Sequence, residues 1–199
     1  LSRYLRENPV QILHSNSRTT QVLAHLLRKG SGVKHVFTCH GFFKRRILRK
    51  LFPCWPDLLI AISESVKEHL IHDLKADEKN IFMVHNGIDS EKFKGGGGLD
   101  KAEAKKKLGL KEGPVVGMVA RLSDVKGHDY LIRAFAQVLE SVEQAQLLMI
   151  GDGKLKNELE SLIQSLGIRE SAFFFPSAED VRESLSAMDL FVMPSLKEG

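Results

Sequence analysis

Short apolar runs and amphipathic stretches alternate from one end of the chain to the other. Residues 10–14, 33–39, 57–62 and 80–85 read as strands, and 18–29, 43–51 and 63–74 as the helices between them. Ser63 followed by Glu64 offers an N-cap and a first-turn acid for the last of these. A second series begins with a charged helix at 100–108 and continues with strands at 114–120, 146–150, 172–175 and 189–193. Within it, VVGMV at 115–119 is a nearly unbroken apolar run, as expected of a strand covered on both faces. In HDYLIRAFAQVL at 128–139, Leu131, Ile132, Phe135, Val138 and Leu139 recur at helical spacing. Such alternation predicts an α/β fold with parallel sheets and right-handed crossovers.

The two series are separated by a turn signal, Asn86-Gly87, and by KGGGGL at 94–99, where four glycines impose almost no backbone preference. The expected organisation is therefore a first domain at 1–88, a connecting segment at 89–111 and a second domain at 112–199. The glycine run is equally compatible with a hinge, a plain surface loop or a filler replacing another sequence. Because the chain opens at Leu1 without a methionine, inside an expected helix, and stops at Gly199 as a loop begins, both domains are expected to be incomplete.

Composition narrows the picture. The 199 residues are 43% apolar, enough for packed cores, with no run long enough to cross a bilayer and no signal-peptide pattern. A cytoplasmic location is the default expectation. Cys39 and Cys54 lack the spacing of a disulfide framework or a zinc site. The net charge of +4 is unevenly spread: residues 1–56 hold eleven Lys/Arg against the single acid Glu7, a net +10, leaving −6 for the rest. At 42–55, Lys44, Arg45, Arg46, Arg49 and Lys50 are interleaved with Phe42, Phe43, Ile47, Leu48, Leu51, Phe52 and Trp55. That composition suits a helix lying on an anionic membrane surface, peripheral at its inner face, though a solvated helix face beside a core stripe accounts for it equally. Nucleic acid is not expected as a partner, since no aromatic RNP strand, helix-turn-helix pattern or zinc-finger spacing is present.

The chemistry concentrates after the 115–119 run. Gly117 and Ala120 keep the strand slim enough for a ligand to approach, and Arg121 and Lys126 put two cations on the turn that follows. Gly127 then opens the 128–139 helix, whose free N–H groups favour an anion at the same place. A phosphate-handling loop is the natural reading.

With its surroundings, this stretch resembles the donor-binding half of retaining glycosyltransferases of family 4, which have the two-domain, Rossmann-like GT-B fold. The residues that carry the resemblance are VGMVARLSDVKGHDYLIRAF at 116–135, LLMIGDGKLKNEL at 147–159 and DLFVMPSLKEG at 189–199. Upstream, VFTCHG at 36–41, IAISESVKEHL at 60–70 and VHNGIDSEKF at 84–93 look like landmarks running from the acceptor domain into the connection. The resemblance implies transfer of a sugar, with retention, from a nucleotide-diphosphate-sugar donor to a hydroxyl acceptor in glycan, lipopolysaccharide or lipid-linked glycan synthesis, without a metal or other cofactor. It implies that Arg121 and Lys126 grip the diphosphate and that His40 touches the donor sugar near the reacting carbon as a polar positioner. Glu198 would hydrogen-bond the sugar hydroxyls, while the backbone amide of Gly199 approaches the phosphate. The family's glycine-rich acceptor loop and its second glutamate would lie outside residues 1–199, so this length alone is expected to be inactive or weakly active. Gly151 and Gly153 suggest a dinucleotide fingerprint whose third glycine is replaced by Lys156, and by resemblance this is the family's loop beside the nucleotide; one departure is visible, Pro176 where the family usually has glycine. The alternatives are a non-catalytic nucleotide- or membrane-binding module and a nucleotide-sugar epimerase of similar architecture.

Overall fold

A computed structural model of the chain describes residues 2–28, 32–43, 51–93 and 100–198. The chain divides into two compact units, Leu1–Ile88 and Asp89–Glu198, the terminal Gly199 aside.

In the first unit, α1 (Ser2–Glu7), β1 (Ile12–Ser15), α2 (Arg18–Leu27), β2 (Lys34–Cys39), β3 (Leu58–Ala61), α3 (Glu64–Glu68) and β4 (Ile81–Met83) follow in chain order. The strands form one parallel sheet, β1-β2-β3-β4. Helix α2 starts at a reciprocal cap: Ser17 accepts from the Thr20 N–H, and Thr20 accepts from the Ser17 N–H. The expected cap at Ser63 is present, its hydroxyl accepting from the Val66 N–H. Beyond Glu68 the helix widens into a π-turn at His69–Asp73. Phe37 and Cys39 from β2, Leu59 and Ala61 from β3, and Val66 and Leu70 close the core. The helix expected at 43–51 lies, for residues 44–50, outside the described residues, and with it the basic run Lys44, Arg45, Arg46, Arg49 and Lys50.

The second unit contains α4 (Lys101–Lys107), β5 (Val115–Val119), α5 (His128–Leu139), β6 (Gln146–Ile150), α6 (Lys156–Ser165), β7 (Ala172–Phe175), α7 (Arg182–Ser186) and β8 (Leu190–Phe191). Its sheet is parallel, in the order β7-β6-β5-β8. Side chains leave successive strand positions on opposite faces, so each face has its own core. Met118, Leu147 and Met149 meet Leu131, Ile132 and Phe135 of α5 and Leu159 and Ile163 of α6 on one side. Val115, Leu148 and Ile150 meet Ala104 of α4, Ala187 and Met188 on the other. Both faces being covered is why β5 and β6 read as unbroken apolar runs rather than alternating ones. Each large side chain buried here contributes about 1.5–3 kcal/mol of transfer free energy.

The charged helix expected at 100–108 is present at Lys101–Lys107, and its Ala104 is fully buried in the second core. One difference from the sequence expectation has a physical cause. The strand expected at 189–193 is only two residues long. Asp189, just before it, is drawn instead into a network in which its carboxylate accepts from the Val115 N–H at 2.9 Å, from Lys101 Nζ at 2.7 Å and from Lys105 Nζ at 3.0 Å. That network ties α4 to the start of β5, and these partners, Lys101 foremost, hold the Asp189 carboxyl well below the usual range.

Candidate functional site

The carboxyl ends of β5, β6 and β7 open on a groove, where open α/β sheets bind ligands. One part, about 630 Å³, is lined by Arg121, Leu122, Ser123, Asp124, Val125, Asp152, Gly153 and Lys154. Another, about 420 Å³, is lined by Val119, Ala120, Arg121, Ile150, Gly151, Asp152, Ser177, Ala178 and Val181. Arg121 and Asp152 border both.

The loop after β5 is held by backbone contacts to its neighbour: the Ala120 N–H donates to the Ile150 carbonyl and the Leu122 N–H to that of Asp152, each at 3.0 Å. A short turn at Asp124–Lys126 then brings the chain to Gly127, whose φ of +74° and position before α5 both suit a residue without a side chain. No side chain caps α5, so the first N–H groups of that helix lack a side-chain partner there. His128, the first helical residue, is 2% exposed, and burial, the largest influence, pushes its pKa down.

The loop after β8 docks on this one. The Leu196 N–H donates to the Val125 carbonyl at 2.9 Å, and Lys126 Nζ donates to Glu198 Oε1 at 2.5 Å. Lys126 foremost, with the Ser195 hydroxyl adding to it although it lacks a fully formed hydrogen bond, holds the Glu198 carboxyl below its ordinary value. The expected site residues Lys126 and Glu198 are therefore in direct contact, and Arg121 stands on the same loop, exposed to the groove.

The remaining candidates are distributed differently. Gly117 is buried in mid-strand: a Cβ there would lie 2.1 Å from Met188 Sδ, so the space left by the missing side chain is filled by Met188. Its small size serves packing of the sheet. His40 belongs to the first unit, where it is exposed at the end of β2 with Nε2 3.2 Å from Asn16 Oδ1. The segment after it is pinned, since the Phe43 N–H donates to His69 Nε2 at 3.0 Å while His69 Nδ1 lies 2.7 Å from Asp73 Oδ2. Gly199 lies outside the described residues.

Asp152 and Lys154 were not singled out from the sequence. Asp152 accepts from the Ser177 N–H at 2.9 Å and from the Ser177 hydroxyl, linking the loops after β6 and β7 across the groove. These bonds to Ser177 lower its pKa. The GDG at 151–153, closing an apolar strand, was the available signal. Among the described residues, no three His, Cys, Asp or Glu side chains are grouped to hold a metal ion.

Two parallel-sheet units of this kind define a GT-B-type architecture, and Anabaena Alr3699/HepE, solved in complex with UDP and glucose, superposes with a TM-score of 0.86 at 23% identity, over 98% of this chain and 55% of that one. The family model for group 1 glycosyl transferases matches residues 100–199, and that for glycosyltransferase family 4 matches residues 1–92. The chain belongs to the group 1 glycosyltransferases. It is 30% identical over its whole length to the Escherichia coli UDP-Gal:alpha-D-GlcNAc-diphosphoundecaprenol alpha-1,3-galactosyltransferase, covering 55% of it. It is also 32% identical, over 57% of its length, to a Corynebacterium glutamicum GDP-mannose-dependent mannosyltransferase of phosphatidylinositol monomannoside, covering 30% of that protein. The chain thus spans about half, or less, of the length of these relatives.

Proposed function

We propose that the chain is part of an enzyme that moves a sugar from a nucleotide-diphosphate-sugar donor to a hydroxyl on a glycan or lipid-linked acceptor, with retention. The observation that carries this reading is the groove at the carboxyl edge of the second sheet, which Arg121 lines, with Lys126 further along the same loop beside the uncapped start of α5. As the sugar leaves, negative charge grows on the diphosphate, and fixed cations stabilise that state more than the ground state. Arg121 and Lys126 supply the charge and the α5 N–H groups add to it. Glu198 accepts hydroxyl donors of the sugar, and the backbone amide of Gly199, outside the described residues, is assigned to the phosphate. The departing phosphate oxygen takes the acceptor proton, so attack comes from the face the phosphate leaves. In this reading residues 1–88 are the acceptor-side domain, with His40 as polar positioner, and 112–199 belong to the donor-side domain.

The relatives act with UDP-galactose and GDP-mannose, which makes UDP- and GDP-sugars the first donors to try. Calorimetry with UDP-, GDP- and ADP-sugars on the chain and on an Arg121→Ala/Lys126→Ala variant tests the clamp. Equal affinity in both proteins removes it.

A peripheral membrane contact through the basic run is supported by Leu51 and Phe52, which flank it and are 65% and 68% exposed. Among the described residues no helix is long and apolar enough to cross a membrane. Co-sedimentation with anionic vesicles checks this contact, and binding unaltered by Lys44→Ala/Arg45→Ala/Arg46→Ala excludes it.

A further inference from the structure

We propose that Glu198 makes the site distinguish a sugar-bearing nucleotide from the bare nucleoside diphosphate, by giving up Lys126 only when a sugar replaces that lysine as its partner. This rests on the donor reading above and adds to it a rule for selecting donor and expelling product.

Lys126 is paired with Glu198. Its Nζ lies 2.5 Å from Glu198 Oε1; the Lys126 side chain is 24% exposed and that of Glu198 52%, so the lysine end of the pair is the one partly sheltered from water and from salt. The two loops are also stapled by the Leu196 N–H to Val125 carbonyl bond and by Pro194, whose carbonyl oxygen sits where a Gly127 side chain would be. These contacts bring the backbone that carries Glu198 up to the loop that carries Lys126. At neutral pH Glu198 remains an anion, because the ammonium of Lys126 and the Ser195 hydroxyl favour its charged form.

A diphosphate that recruits Lys126 competes with Glu198 for its charge. The carboxylate then shares its cation with a further negative charge beside it, which opposes binding. A sugar on the diphosphate changes the balance, since its hydroxyls donate to the carboxylate and restore charge-assisted hydrogen bonds. The donor satisfies both partners of the pair, while the nucleoside diphosphate satisfies only one. After transfer the product is accordingly held less tightly than the donor, with Glu198 drawing Lys126 back.

The test is calorimetry on the full chain with four probes, UDP, UDP-glucose, GDP and GDP-mannose, comparing the unmodified protein with Glu198→Gln and Lys126→Ala, each checked for fold by circular dichroism. Glutamine keeps the shape and the hydrogen-bonding capacity but not the charge. Glu198→Gln is expected to tighten the bare nucleotide and to weaken or leave unchanged the sugar nucleotide, moving the ratio of the two constants by about tenfold, the size of one charged contact. A general disturbance of the loop would shift both ligands together and leave the ratio alone. The proposal is overturned if Glu198→Gln weakens the bare nucleotide, or if both ligands change in parallel. Lys126→Ala keeps the two claims apart: loss of affinity for both ligands upholds the clamp whatever Glu198→Gln does. No effect of Lys126→Ala, or no binding of any probe to the unmodified protein, removes the donor reading and this proposal with it.

Discussion

Gly127 is where the backbone conformation, the β8 loop and the phosphate-handling loop meet, so adding one methyl group there should be felt in both stability and binding. A Cβ at this position would lie 2.2 Å from the Pro194 carbonyl oxygen and 3.0 Å from its carbon. Non-bonded carbon and oxygen pack no closer than about 3.3 Å, so the two loops must part by roughly 1 Å in Gly127→Ala. The φ of +74° adds about 1–2 kcal/mol of left-handed strain, offset by about 0.4–1 kcal/mol from a stiffer unfolded chain. Gly167 serves as the internal reference, because its φ is +70° and nothing lies within 4 Å of its missing Cβ. Gly167→Ala is therefore expected to cost about 1 kcal/mol, from the backbone alone. Gly127→Ala should cost about 2–4 kcal/mol, the excess being steric. Parting the loops also stretches the Lys126–Glu198 contact and the Leu196–Val125 hydrogen bond, so nucleotide affinity should fall in Gly127→Ala and not in Gly167→Ala. Urea unfolding followed by circular dichroism gives the stabilities and UDP calorimetry the binding. Equal stability loss in the two variants would refute the steric argument, and unchanged binding would refute the link between these loops and the ligand.

Other consequences can be measured directly. Phe135, 2% exposed between α5 and the sheet, should cost about 3–5 kcal/mol as Phe135→Ala, read from the urea midpoint. Asp189→Asn keeps the shape of its network but removes the charge facing Lys101 and Lys105. Since the pair is partly solvated, a loss of roughly 1 kcal/mol is expected, shrinking below about pH 4, where the carboxyl of the unfolded chain takes up its proton before the native one does. His35, fully buried in β2, has its pKa lowered from 6.5 to about 4, first by burial and then by Arg28. The unfolded chain takes up this proton near pH 6.5 and the native one only near pH 4, so stability should fall as pH drops through that window. For this buried ring the effect is up to about 3 kcal/mol, and His35→Gln should flatten the pH dependence of the urea midpoint.

What the chain's pattern determined unaided is the class of fold and its local elements. Strands β6 and β7 and helix α5 run over the residues their apolar periodicity marks, and Ser63 caps its helix as expected. These features depend on neighbours a few positions away, so a linear string records them. The cationic loop was legible for the same reason, since a strand end, Arg121, Lys126 and a helix start lie within one short stretch. Tertiary structure alone decided how that loop is used. Lys126 pairs with a carboxylate 72 residues on, Asp152 binds a serine 25 residues on, and the space beside Gly117 belongs to Met188. Contacts of that range arise from which strands become neighbours, β8 beside β5 and β7 beside β6, and strand order is set by packing both faces of the sheet at once rather than by any local preference.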